Sequence, residues 1–334
     1  MSINESDLRT IQLRYKLSPA TMKVLGSLPT GPSRQQVLHK SCLASEFRSF
    51  PLKLAEKDFF REINDHTAIP YTVKEAITQP WHKIYLLVQA DLLRTPWPNK
   101  ISVNARKELY QERKRIYGLL DRVLRCLADA VALRGDGKGV NVCLDVLRSV
   151  NSGVWEGEGK ELLLVEGIGQ AKAERLRKAG ITTIKQLGQL DFCHIERLLS
   201  RNPPFGHRML EQLAGFPRLA CQFQVFESPT LLPGPGARTS AEACGGKKLW
   251  VCRVVLSYDN EQLPHWKKGN PWVTLVIQGG DGRLLWFWRG HVKKLSGAKD
   301  LVVGMECRSK ERIDMRVACE DIVGTAVDTS HQMS

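Results

Sequence analysis

The chain has 334 residues, with 49 Lys and Arg against 35 Asp and Glu, a formal charge of +14. This length and an apolar content of 43% allow two or three compact units with cores of their own, which excludes wholesale disorder. No apolar run approaches the roughly 20 residues of a membrane span, and MSINESDLRT has no signal-peptide stretch, so a soluble, intracellular chain without membrane contact is expected. The charge excess suits a polyanionic partner. Nine scattered cysteines form no C-x-x-C pair, and the side chains of adjacent Cys193 and His194 diverge, so reduced thiols and no metal site are expected.

From Ser33 to Gly153 the apolar residues recur at helical spacing and break at prolines, which predicts a helical bundle. Ser33 caps a helix running through Cys42, Leu54 to Ile63 forms another, and Trp81 to Leu93 is apolar enough to be central. The longest helix starts with Asn104 as its N-cap and runs to about Leu133, spanning roughly 45 Å. On it Ile116, Leu120, Val123, Leu127 and Val131 share one face, and Arg115, Arg122, Arg125 and Asp129 lie opposite. Such a stripe either solvates a bundle helix or lines a groove for nucleic-acid phosphates.

The stretch Gly135 to Gly139 is not a phosphate loop, because Gly139 stands where the residue after Lys138 would have to be Ser or Thr to hold magnesium. No other ATP-binding signature, nucleophile elbow or metalloprotease helix occurs, which points to a chain without catalytic chemistry of its own.

Leu162 to Gly180 reads as helix, glycine hairpin, helix. Gly167 and Gly169 permit left-handed turn angles, Ile168 between them plugs the core, and Ala171, Ala173 and Leu176 let the second helix pack closely. Unpaired amides at the start of that helix suit a phosphate oxygen, with Lys172, Arg175 and Lys178 in reach, and such a contact is sequence-independent and salt-sensitive. The same glycines also serve a purely architectural turn. Asn202 to Gly206 makes a second turn, between short helices at Ile195–Ser200 and Met209–Leu213.

Pro and Gly crowd the stretch after Pro217, which reads as a linker over 218–246. Beyond it the period falls to two: Trp250, Cys252, Val254 and Leu256 alternate, as do Ile313, Met315, Val317 and Cys319. Asp281-Gly282 joins Trp272–Gln278 to Leu284–Arg289 as a hairpin, and a small antiparallel sandwich follows. Trp286 and Trp288 point opposite to Phe287. With Lys267, Lys268, Arg289, Lys293 and Lys294 nearby they either clamp a single strand or fill the sandwich core.

The block order, with Ile84–Leu92, Arg115–Cys126, Ile195–Gly206 and Glu320–Thr325, resembles the Sec-sixty-three or Brl domain, as found behind the motors of the meiotic crossover DNA helicases of the Mer-three type. The resemblance implies a multidomain α+β fold: a winged-helix remnant over 1–40 around Tyr15 and Thr21–Lys23, a bundle over 41–155 with a ratchet-like helix over 104–133, a helix-hairpin-helix region over 156–217, the linker, an immunoglobulin-like β-sandwich over 247–326 and a tail over 327–334. It further implies single-stranded or branched DNA as partner, held by Arg115, Arg122 and Arg125 and by Gly167, Ile168, Gly169, Lys172 and Arg175. Recombination or mismatch-repair proteins are further implied partners, and the nucleus the implied location. ATP and magnesium would belong to a motor whose motifs this sequence lacks, so no cofactor is expected. The alternatives are a protein-interaction scaffold of the translocation-factor type and, more remotely, a nuclease accessory module.

Overall fold

Ser33 opens a helix as its position suggests. Its hydroxyl accepts the Gln36 N–H, and the Gln36 side chain accepts the Ser33 N–H, a reciprocal cap worth about 1 kcal/mol. The computed structural model describes residues 5–226, 247–267 and 269–333. They form an α+β fold in two compact units, one built from the described residues of 1–187 with 321–324, the other from those of 188–320 with 325–334. No described helix is long and apolar enough to cross a membrane.

The first unit is helical: α1 (Glu5–Tyr15), α2 (Pro19–Gly26), α3 (Arg34–Cys42), α4 (Lys57–His66), α5 (Pro80–Leu92), α6 (Val103–Leu133), α7 (Gly137–Ser152), α8 (Gln170–Lys178) and α9 (Ile184–Leu187). Nearly every side chain of α5 is buried, as its apolar run requires. One of them is Lys83, fully buried with Nζ 2.8 Å from Glu56 and 2.6 Å from Glu112. Burial works against an ionised Glu112, but hydrogen bonds from Lys53 and Lys83 outweigh it and hold that carboxyl below the ordinary range.

Two boundaries differ from expectation. Ser102, not Asn104, caps α6: the Ser102 hydroxyl accepts the Ala105 N–H, and Asn104 already lies inside the first turn. The helix expected to start at Leu162 is a single 3-10 turn, Glu161–Leu164, because Leu162, Leu163, Leu164 and Val165 are all buried and four consecutive apolar side chains do not fit one face of an α-helix. The glycines around Lys138 serve the start of α7. Asp136 caps it by accepting the Gly139 N–H, and a Cβ on Gly139 would stand 2.3 Å from the Asp136 carboxylate.

The second unit carries α10 (Phe192–Leu199) and α11 (Phe205–Ala214), then β1 (Leu219–Phe226), β2 (Lys247–Tyr258), β3 (Trp272–Gly279), β4 (Leu284–His291), β5 (Lys299–Arg308), β6 (Arg312–Cys319) and β7 (Val327–Gln332). The strands form two antiparallel sheets, ordered β1-β2-β5 and β4-β3-β6-β7. The alternating residues of β2 and β6 point inward as their period demands, and β3, flanked on both sides, buries Val273 through Ile277 without a break. Gly282, with φ +85°, turns the β3–β4 hairpin at the expected Asp281-Gly282.

Two stretches correct the reading of linker and tail. Residues 219–226 of the expected linker are β1, paired with β2 along its length, and the rest of that linker, 227–246, lies outside the described residues. Residues 327–332 of the expected tail are β7, paired with β6. Both are edge strands with one wet face, so half of their side chains are polar or exposed and the apolar signal is halved.

Candidate nucleic-acid interface

Helix α6 splits its surface sharply. Ile116, Leu120, Val123, Leu127 and Val131 are completely buried, whereas Lys107, Gln111, the adjacent Lys114 and Arg115, Gly118 and Arg122 recur turn by turn on the exposed side. Lys107, Lys114 and Arg122 have no carboxylate partner among the described residues, and Arg115 lies 5.2 Å from the centre of the Phe50 ring. The stripe from Lys107 to Arg122 is about 22 Å long at 1.5 Å per residue. Lys107 and Lys114 escaped the sequence reading, although they share the spacing that picked out Arg115 and Arg122.

Gly118 sits in the middle of this stripe. A glycine inside a helix costs about 1 kcal/mol relative to alanine. A Cβ there would meet nothing within 4 Å, so no packing in the chain asks for its absence. Its effect is to leave the backbone bare between cations.

Toward its C-terminal end the stripe closes. Arg125 does not stand free: its guanidinium holds Asp121 at 3.0 Å and Asp321 at 2.5 Å, and Asn151 donates to the same two carboxylates. Burial opposes the charge on Arg125, but Asp321 and Asp121 outweigh burial and raise its pKa above the ordinary arginine value. Asp129, expected on the solvent side, is buried and accepts a 2.8 Å hydrogen bond from the Tyr15 hydroxyl and one from Arg14. These partners are distant in sequence, which hid the closure.

The glycine bend is open. Gly167, with φ +80°, supplies the left-handed angle, and Ile168 is buried as expected. Gly169 departs from expectation: it is extended, with φ −97° and ψ −178°, and acts as the N-cap of α8. No side chain caps that helix, and Gly169, Gln170 and Ala171 at its start are exposed. Lys172 folds back to donate to the Gly167 carbonyl, and Arg175 is exposed one turn on. Beneath the bend, the carboxylate of Glu161 accepts the Ile184 N–H at 2.6 Å and occupies the space a Cβ on Gly324 would need. Burial pushes the Glu161 carboxyl up to about 7, against the pull of the Ile184 N–H, and Glu156 adds to the rise.

The aromatic strand β4 offers less than its composition suggests. Trp286 and Trp288 pair with Ile277 and Leu275 of β3; Trp288 is half-buried, and Trp286 stays 37% exposed at the sheet edge. Arg289 is spent on the fully buried Glu320. Lys293 and Lys294 are exposed, Lys267 is exposed as well, and Lys268 lies outside the described residues.

The architecture defines an α+β region in which a helical unit carries an open cationic helix face and a bare glycine bend, with no group of three His, Cys, Asp or Glu arranged for a metal among the described residues. Comparison with protein families gives the region its place: residues 6–323 match the Sec63 Brl domain, and the chain belongs to that family. It is 24% identical over 321 residues to the ATP-dependent DNA helicase MER3 of Saccharomyces cerevisiae, covering 93% of this chain and 26% of that protein. With the ATP-dependent DNA helicase MER3 homolog of Oryza sativa subsp. japonica the identity is 25% over 335 residues, 97% of this chain and 26% of the relative. A probable ATP-dependent DNA helicase HFM1 of Homo sapiens is 22% identical over 287 residues, 84% of this chain and 18% of the relative. The chain thus spans about a quarter of the length of the first two of these relatives.

Proposed function

We propose that this chain is the DNA-handling accessory region of a meiotic crossover helicase, acting by electrostatic contact and without a catalytic centre of its own. On this reading residues 161–178 are a helix-hairpin-helix with a shortened first helix, and the two sheets are an immunoglobulin-like sandwich on which recombination proteins dock in the nucleus. A single strand lies along α6, with phosphates facing Lys107, Lys114, Arg115 and Arg122. The amides of α8 with Lys172 and Arg175 hold a further phosphate. Arg125 supports the helix and does not touch the strand.

The observation that carries this reading is the cationic stripe of α6 with Gly118 at its centre, in a family whose matching relatives are named DNA helicases. Cations without carboxylate partners keep their full charge for phosphates, and a missing side chain lets a polymer backbone approach closely. Contacts of this kind read no base edges, so binding is indifferent to sequence.

Fluorescence anisotropy of a labelled oligothymidine against the full chain, across a salt series, tests it. Arg115→Ala with Arg122→Ala should weaken binding and reduce the salt slope by about 1.4, at about 0.7 per single-strand phosphate contact. A wild-type chain that ignores the oligonucleotide, or a double variant with the wild-type slope, overturns the reading.

A further inference from the structure

Ser200 caps the C-terminal end of α10 and turns the chain with φ +50°, and α11 starts five residues later against the first turn of α10. Gly206 makes that approach possible: a Cβ there would lie 2.4 Å from the Phe192 carbonyl oxygen. The buried Glu196 carboxylate fixes the crossing by accepting the Gly206 N–H at 2.8 Å. The result is an exposed His207 ring stacked on an exposed Phe192 ring, centroids 3.8 Å apart and planes within 24°. Arg201 lies 5.9 Å from the centre of the neighbouring Phe205 ring, and Arg208 follows His207 directly; both are exposed, and no carboxylate pairs with either among the described residues.

We infer that the Phe192–His207 pair is a stacking platform for an unpaired or terminal base of a nucleic-acid strand, with Arg201 and Arg208 taking the flanking phosphates. This site rests on the DNA-handling reading above and lies apart in sequence from both contacts assigned there. The chemistry selects the ligand. Two stacked rings cover each other's inner faces and leave an outer face, which an unpaired or terminal base can cover to extend the stack. A base inside a duplex has both of its faces occupied by neighbours. Guanidinium groups beside the rings match the phosphates of such a strand. Asn202 and the buried Glu196 already occupy the Phe205 and Gly206 amides at the start of α11, so the contact is made by rings and side chains and not by the helix end.

The test uses the full chain with a single-stranded oligonucleotide carrying a terminal 2-aminopurine, and the same sequence closed as a blunt duplex. Phe192→Leu with His207→Gln keeps the apolar volume and polarity but removes the flat pair. It should cost roughly 5- to 100-fold in single-strand affinity, abolish the stacking change in 2-aminopurine fluorescence, and leave the salt slope unchanged. Arg201→Ala with Arg208→Ala should lower the slope by about 1.4. Thermal melting checks that each variant folds, and Phe192→Tyr, which restores a flat ring, should recover binding. If the Arg115 and Arg122 variants weaken binding while Phe192→Leu with His207→Gln does not, the platform is overturned and the α6 contact stands. If the wild-type chain binds no single strand, both fall together.

Discussion

Arg125 and Asp321 stand 196 positions apart in sequence and 2.5 Å apart in space. Around them Ser152 donates its hydroxyl to the Asp321 carbonyl and accepts the Val323 N–H, so residues 321–324 are tied to α6 and to the end of α7 by side chain and backbone alike. A cation so engaged contributes to folding before it contributes to recognition. Arg125→Ala should therefore cost about 1–3 kcal/mol of stability and leave the salt slope of DNA binding as it was. Thermal melting and a salt titration read the two effects. An unchanged melting temperature with a slope lowered by about 0.7 would return Arg125 to the strand-binding set.

Gly118 separates helix stability from recognition. Gly118→Ala should stabilise the chain by about 0.5–1 kcal/mol, since alanine is the better helix former and the added methyl has room. Gly118→Trp should be tolerated in folding and should weaken single-strand binding several-fold by covering the bare backbone. Equal affinity for the tryptophan variant and wild type would show that nothing approaches α6 there.

The two glycines of the bend should respond differently. Gly167→Ala forces a side chain into φ +80° and should cost about 1–2 kcal/mol. Gly169→Ala meets ordinary extended backbone and open space, so its stability should stay within about 0.5 kcal/mol of wild type. Denaturant midpoints of the two variants decide this, and a Gly169→Ala penalty as large as that of Gly167→Ala would contradict the geometry.

Lys83 is a buried cation whose partners are two carboxylates. Lys83→Met alone strands Glu56 in the core and should destabilise by about 3–5 kcal/mol. Adding Glu56→Gln should restore part of that loss. A double-mutant cycle in urea measures the coupling, and a harmless single substitution would show that the pair is not buried in solution.

Glu161 gives the fold a pH dependence. Its folded pKa of about 7 lies above the ordinary carboxylate value, so between those two values the folded chain holds a proton that the unfolded chain has released. Stability from this group is full below the ordinary value and falls as pH rises through about 7, by about 1–3 kcal/mol after solvent screening. Glu161→Gln should flatten the decline in melting temperature between pH 5 and 8, a range of about three units around that titration. A wild-type profile that rises with pH across this range would place the proton elsewhere.

Much of this molecule is legible in its sequence where local spacing decides the outcome. The buried side of α6, the reciprocal cap at Ser33 and the β3–β4 turn at Asp281-Gly282 each follow from residues within a turn or two of one another. Reading fails where a distant partner takes a residue that looks exposed: Arg125 goes to Asp321, and Asp129 to Tyr15, 114 positions away. It fails also at edge strands such as β7, whose Asp328, Ser330 and Gln332 are exposed and mute the alternation. Gly118 needed no distant partner to be noticed. Its meaning depends on what surrounds it in space, and an empty surround cannot be read from neighbours in sequence.

The bond from Tyr15 to Asp129 has a practical corollary for anyone trimming the chain. Cutting at residue 40, where a domain boundary is drawn from sequence, would strip α1 from the helix it covers, remove the bonds that Tyr15 and Arg14 give Asp129 and open the apolar surface under Ile11 to water. Helix α1 behaves as a cork in the bundle, and shortened versions that begin after it should expose the apolar surface that it seals.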